Sequence, residues 1–130
     1  LSGSRVLRTS SLYRTAPVGL RNQPDFINAA AALETTLGAE ALLTALLDVE
    51  VRFGRHRRER NGPRTLDLDL LLYNDSEMDK PHLTLPHPRL HLRAFVLRPL
   101  AEIAPDLTIP GRGSVAAWLP AVASQGAVRL

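Results

Sequence analysis

Residues 60–73 read R-N-G-P-R-T-L-D-L-D-L-L-L-Y, and the architecture turns on how Leu66 to Tyr73 are taken. Alternate residues of a strand share a face. Asp67 and Asp69 then point the same way, roughly 7 Å apart along the chain. Leu66, Leu68, Leu70 and Leu72 point the other way, so Thr65–Tyr73 is expected to be a strongly one-faced, central strand. Two neighbouring carboxylates repel, and a hard cation between or above them relieves the repulsion. Mg²⁺ is the usual choice where phosphate is the other ligand. Just upstream stands a cluster of arginines, the side chain best matched to phosphate. Carboxylates for metal beside guanidiniums for phosphate point to nucleotide chemistry.

The chain has 130 residues, enough for one domain with a real core. It holds no run of about 18 apolar residues, so no membrane-spanning helix is expected. Leu1–Ser10 lacks the basic start and apolar centre of a signal peptide. The absence of cysteine excludes disulfides and thiolate metal sites and is compatible with a reducing compartment. The net charge of +3 is uneven: between Arg52 and Arg64, six arginines stand against one acid, Glu59. A local concentration of this kind argues for a site and against a generally basic surface.

Working outward, Ala39–Phe53 is the clearest helix. Leu42, Leu46, Val49 and Phe53 recur at helical spacing, and Gly54 is a natural stop. Arg55–Arg64 reads as a basic loop closed by Gly62-Pro63, and Asn74–Pro88 is rich in turn signals. Arg5–Arg14 reads as a strand. Phe26–Leu37 fits two elements: four consecutive alanines favour a helix, whereas the alternation from Phe26 to Thr35 fits a strand. Leu92–Ile103 has helical spacing with Pro99 as a kink or boundary. Leu107–Ile109 is a short strand, and Ser114 is placed to cap a last helix reaching Ala123.

With these segments in place, the chain resembles the 6-hydroxymethyl-7,8-dihydropterin pyrophosphokinase family of folate biosynthesis. The residues that carry the resemblance occur in order: S-S-L-Y-R-T-A-P-V-G (10–19), Q-P-D-F-I-N-A-A (23–30), G-R-H-R-R-E-R-N-G-P-R-T-L-D-L-D (54–69), L-T-L-P-H-P-R-L (83–90), R-A-F-V-L-R-P-L (93–100) and E-I-A-P (102–105). G-P-R-T-L-D-L-D is the most specific of them. The resemblance implies an α+β fold, a ferredoxin-like antiparallel sheet with helices packed on it. It takes residues 26–35 as a strand paired with Arg5–Arg14. Family members begin with a strand ending in Gly-Ser-Asn and then a helix, and this chain starts after both. It is therefore expected to form a single domain over residues 1–130 that is N-terminally incomplete, with sheet edges left unpaired. Asn61 stands where many members carry tryptophan, and Pro88 where some carry an aromatic residue.

The activity implied is transfer of pyrophosphate from ATP to 6-hydroxymethyl-7,8-dihydropterin, with AMP leaving. Asp67 and Asp69 would hold two Mg²⁺ ions, and Arg55, Arg57 and Arg64 would act on the phosphates. Glu50, Arg60, Thr84, His87 and Arg93 would contact the nucleotide. Phe26 and Phe95 would sandwich the pterin ring, Asn28 would read its edge, and Thr15, Ala16 and Val18 would line the same pocket. Arg52 and Arg58 are taken as surface charges. The partners implied are ATP and the pterin, without nucleic acid or membrane, for a monomer in the cytoplasm. Three rivals remain at this stage: an α+β RNA-binding module using the basic loop, an inactive truncated remnant, and a zinc site from His82, His87 and His91.

Overall fold

Two apolar clusters organise the chain, and residues 66–73 run between them. The computed structural model describes residues 3–15, 26–55 and 66–130, with the side chains of Gly54 and Arg55 outside that description. The larger cluster gathers Leu90, Leu97, Ile109, Val115 and Val122, with Leu71 and Leu72 packed against it. The smaller one gathers Ala39, Leu83 and Leu85, with Leu43, Leu70 and Tyr73 against it.

The architecture is α+β, and every strand pairing described is antiparallel. β1 (Ser4–Thr9) pairs with β4 (Ala31–Thr35), and β2 (Tyr13–Thr15) pairs with β3 (Phe26–Asn28). The segment with two fitting elements is thus extended. Its alanines lose to the long-range partner that β1 supplies, because helix propensity is a weak prior. The register shifts between Val6 and Arg8, a bulge that bends the ribbon. The C-terminal β9 (Val128–Arg129) adds to the other side of β2.

The ribbon docks on α2 (Ala94–Ile103) through polar contacts at that helix's last turn. Glu102 accepts from the Ser11 backbone N–H at 3.0 Å, the Ser11 hydroxyl at 3.0 Å and the Tyr13 hydroxyl at 2.8 Å. Arg8 Nη1 donates to the Ile103 carbonyl at 2.9 Å, placing a cation at the negative helix end. Burial and the neighbouring Glu102 carboxylate push the Tyr13 phenol up, so it stays a donor. Pro99 lies inside α2 and does not bound it; fully buried, it exchanges one helix hydrogen bond for a place in the core.

α1 spans Ala39–Glu50, and the chain continues in a π-helical turn through Val51–Arg55. Gly54 is therefore within a helical turn and is not its stop. The expected stripe is buried at Leu42 but opens toward Phe53, which is 59% exposed. The hairpin β5 (Met78–Lys80) and β6 (Leu83–Leu85) follows the 66–73 segment. A short pair, β7 (Thr108–Ile109) and β8 (Gly113–Ser114), precedes a 3₁₀ helix over Ala116–Val122. The Ser114 hydroxyl accepts from Ala117 N–H at 3.3 Å, but the helix is a 3₁₀ helix and Val115, not Ser114, holds its cap position.

The expected strand at Thr65–Tyr73 is corrected over its described part. Leu66–Tyr73 joins no ladder. Its alternation survives: Leu66, Leu68 and Leu70 are half-buried while Asp67 and Asp69 are exposed. A period of two specifies faces, not a partner. Beyond Leu70 the alternation ends, because Leu71 and Leu72 both turn to the larger cluster.

His91 is buried, edge-on to Trp118 at 4.7 Å, and its Nδ1 has no hydrogen-bond partner among the described residues. Burial first, and the Arg112 charge second, hold its pKa below the ordinary 6.5. The unfolded chain therefore takes up this proton first, and stability present above about pH 6.5 falls as the pH drops toward the folded value. Urea denaturation between pH 7 and 5 checks this: the loss with acidification is expected to be smaller in His91→Leu than in the parent.

Candidate functional site

Leu43, Leu47 and Glu50 recur at four and three residues on α1 and so share one face. That face forms one wall of a cavity of about 360 Å³. The 66–70 segment forms the second wall, with Asp67 and Asp69 lining it alongside Leu68 and Leu70. The β5–β6 hairpin and the turn after it close the third side with His82, Thr84 and His87. The hairpin is held against the start of α1 by Glu40, which accepts from Lys80 Nζ at 2.5 Å and meets His82 Nε2 at 2.9 Å. Those two hydrogen bonds keep the Glu40 carboxyl below its usual range, so the clasp stays charged at neutral pH.

Glu50 is only 3% exposed. Its Oε2 accepts from the backbone N–H of Leu68, the residue between the two acids. The carboxylate thus fixes the peptide from which Asp67 and Asp69 project. From the other side, the His87 backbone N–H donates to the Leu71 carbonyl at 2.8 Å. His87 Nδ1 accepts from the Arg89 N–H at 3.2 Å. Desolvation chiefly lowers the His87 pKa; the Asp69 carboxylate opposes this, while Arg93 and Arg89 add to it. The imidazole is accordingly neutral at pH 7 and offers a hydrogen bond without a charge.

Among the described residues, no group of three or more His, Asp or Glu side chains could hold a metal by itself. Two exposed carboxylates on one cavity wall fit a different kind of site. Mg²⁺ keeps several waters and is bound through one or two carboxylates plus the phosphates of a substrate. The donor set Asp67 and Asp69, all oxygen, fits that ion. Of the three histidines of the zinc alternative, His82 and His87 both line the cavity, with His82 bonded to Glu40, whereas His91 is buried against Trp118.

The ring-binding candidates lie elsewhere. Thr15 is buried, opposite Phe26 in the β2–β3 ladder, and its Oγ1 accepts from Asn28 Nδ2 at 3.2 Å. Phe26 is 54% exposed, so it is not a core residue. Phe95 is half-buried in the first turn of α2, with the Arg93 guanidinium 5.4 Å from its ring centroid. α2 packs against both β2 and β3. Thr15, Phe26, Asn28, Arg93 and Phe95 do not line the 360 Å³ cavity. The structure therefore brings together Glu50, Asp67, Asp69, Thr84 and His87, and sets the ring candidates on the adjoining β2–β3–α2 surface. Ala16, Val18, Arg57, Arg60 and Arg64 lie outside the described residues, as does the Arg55 side chain. Arg52 is exposed and pairs with Asp48 at 3.1 Å, in keeping with a surface charge.

Leu43, Leu47 and Leu68 line the cavity without having been assigned to the site from sequence, and His82 lines it although it had been named only for the zinc alternative. Only the helical spacing of Leu43, Leu47 and Glu50 carried a usable signal for any of them. Of the aromatics, Tyr13 is buried, and Phe26 and Phe53 are exposed on separate elements.

Comparison with known proteins places this arrangement. Residues 1–105 match the model of the 7,8-dihydro-6-hydroxymethylpterin-pyrophosphokinase family. The chain is 45% identical over 130 residues to the 2-amino-4-hydroxy-6-hydroxymethyldihydropteridine pyrophosphokinase of Pseudomonas aeruginosa, covering all of this chain and 80% of that one. It is 49% identical over 113 residues to the enzyme of the same name from Synechocystis, covering 87% of this chain and 57% of that one. A stretch of 110 residues is 42% identical to the folic acid synthesis protein fol1 of Schizosaccharomyces pombe, 85% of this chain but 15% of that protein. The chain thus spans a little over half the length of the Synechocystis relative.

Glu50→Ala is expected to lower stability by about 1–3 kcal/mol, because the Leu68 N–H loses its acceptor. Glu50→Gln keeps an acceptor oxygen and is expected to cost less. Urea unfolding midpoints of the two variants measure the difference.

Proposed function

The chain belongs to the 7,8-dihydro-6-hydroxymethylpterin-pyrophosphokinase family, and we propose that it transfers pyrophosphate from ATP to 6-hydroxymethyl-7,8-dihydropterin in folate biosynthesis. One observation carries the assignment to a site: Asp67 and Asp69 face a single cavity together with Glu50, Thr84 and His87. In the reaction the pterin hydroxymethyl oxygen attacks the β-phosphorus of ATP. The bond from that phosphorus to the α–β bridging oxygen breaks, its electron pair leaves with AMP, and the hydroxyl proton is released. Mg²⁺, two ions in this proposal, supplies charge neutralisation and in-line orientation when bound.

The chain's own residues then divide the work. Asp67 and Asp69 hold the metal, on a peptide that Glu50 fixes through Leu68. Thr84 and neutral His87 offer hydrogen bonds to the nucleotide, and Leu43 and Leu47 give its base an apolar wall. Arg55, Arg57, Arg60 and Arg64 meet the phosphates, which guanidinium groups bind well. Arg93 stands between the two halves, with its charge felt at His87 and its guanidinium over Phe95. Phe26 and Phe95 take the pterin ring, and neither is committed to the core. Asn28 and Thr15, already bonded to each other, present the polar edge that a pterin requires. Residues 1–130 belong to a single domain of this kind; its substrates are small molecules, and no nucleic acid or second copy enters the scheme. Cytoplasmic location accords with the missing cysteines, and no helix among the described residues is long and apolar enough to cross a membrane.

With ATP, Mg²⁺ and the pterin, AMP is expected as the nucleotide product; ADP would refute the assignment. Asp67→Ala and Asp69→Ala are each expected to lower turnover by about 100-fold or more, with the far-ultraviolet circular dichroism unchanged. Arg64→Ala is expected to reduce kcat more than it raises KM for the pterin, because phosphate contacts tighten as charge moves in the transition state. Steady-state kinetics on the three variants decide it.

A further inference from the structure

We propose that Gln125 is a positioning residue: its side-chain amide grips the backbone on both sides of Arg93 and so sets where the Arg93 guanidinium and the Phe95 ring stand. Gln125 lies beyond residue 105, where the family match ends. Nothing in its sequence surroundings marks it.

Its geometry is specific. Gln125 Oε1 accepts from the Ala94 N–H at 2.9 Å, and Nε2 donates to the Leu92 carbonyl at 2.9 Å. Arg93 is extended, with φ −126° and ψ 118°. In an extended residue the carbonyl before it and the N–H after it point the same way, as along a sheet edge. A primary amide carries one acceptor and one donor in a plane and matches that pair. A carboxylate cannot donate to the carbonyl, and an ammonium cannot accept from the N–H. The opposite amide orientation would set oxygen against oxygen, so the assignment of Oε1 and Nε2 follows from the partners.

The contact also fills a gap in the helix. Ala94 begins α2, and Arg93 before it makes no side-chain cap. The Ala94 N–H is one of the donors that a helix start leaves without an internal partner. Gln125 is itself anchored: its own N–H donates to the Val122 carbonyl at 3.0 Å. Val122 and Ala127 on either side are buried in the same cluster as Ala94 and Leu97. A C-terminal turn is thereby tied to the junction that carries Arg93 and Phe95. That these two face the pterin and the phosphates rests on the function proposed above; the grip on the junction does not.

Gln125→Ala removes both hydrogen bonds, and Gln125→Glu keeps the length but sets an oxygen against the Leu92 carbonyl. In the unliganded 130-residue chain, NMR is expected to show the Ala94 amide exchanging about tenfold faster in both variants. The ring-current shift of the Arg93 side-chain protons from Phe95 is expected to shrink in parallel. With substrates, KM for the pterin is expected to rise about fivefold, with the melting temperature nearly unchanged. Parent-like exchange at Ala94 would overturn the clamp. Faster exchange with a parent-like Arg93 shift, or with pterin KM and kcat both unmoved, would reduce it to a structural tie and overturn the positioning role. Should the parent make no AMP, the proposed reaction fails, and the exchange and ring-current readouts still decide whether Gln125 positions the pair.

Discussion

Eight residues have to be buried on their apolar side without burying two carboxylates among them, and the rest of the molecule is arranged around that requirement. Leu70 and Tyr73 face the cluster built on α1 and β6, while Leu71 and Leu72 face the one built on α2. A slip of one residue would drive Asp67 and Asp69 into hydrocarbon, at a cost of several kcal/mol per charge. The leucines therefore fix the acids in space, and Leu68 and Leu70 line the same cavity beside them. Glu50 and His87 complete the constraint through the backbone, gripping the segment at Leu68 and Leu71.

How much of this was legible in the sequence depends on whether a feature is local. The alternation of Leu66 to Leu70 is local, and the half-buried leucines and exposed aspartates follow it. The α1 stripe is local as well, and the helix forms where Leu42 and its neighbours recur. Partners are not local. Nothing within residues 26–35 states that β2 will pair with their first part and β1 with their last, and the alanines there argue for a helix. Equally, nothing within Leu66–Tyr73 states that its backbone will be held by a glutamate side chain and a turn amide and not by a neighbouring strand. Pro99 shows the same limit: a proline signals a break, yet burial of its ring with Leu97 and Leu100 keeps α2 continuous.

The candidate site divides along the same line. Asp67, Asp69, Thr84 and His87 sit in short motifs with few ways to fold, and they meet at one cavity. Glu50 was identified as a nucleotide contact, but its carboxylate is buried and engaged with Leu68 N–H, so its first effect is on the peptide that carries the acids. The ring candidates come from three separate elements. Glu102 holds the ribbon to α2, a contact across 91 residues for Ser11 and 89 for Tyr13. No motif encodes a tie of that span.

Both halves of the site lean on α2, and that helix is held at each end by a side chain from a distant segment. At its C-terminal end Glu102 and Arg8 bind it to the ribbon that bears Phe26 and Asn28. At its start Gln125 binds it to the C-terminal turn, beside Arg93 and Phe95. The cavity with the two aspartates is joined to this unit through Leu71, Leu72 and the turn at His87. A helix pinned at both ends can transmit position but little motion, because packed interiors resist deformation. The acids and the β2–β3–α2 surface are therefore spaced by packed contacts within the described residues.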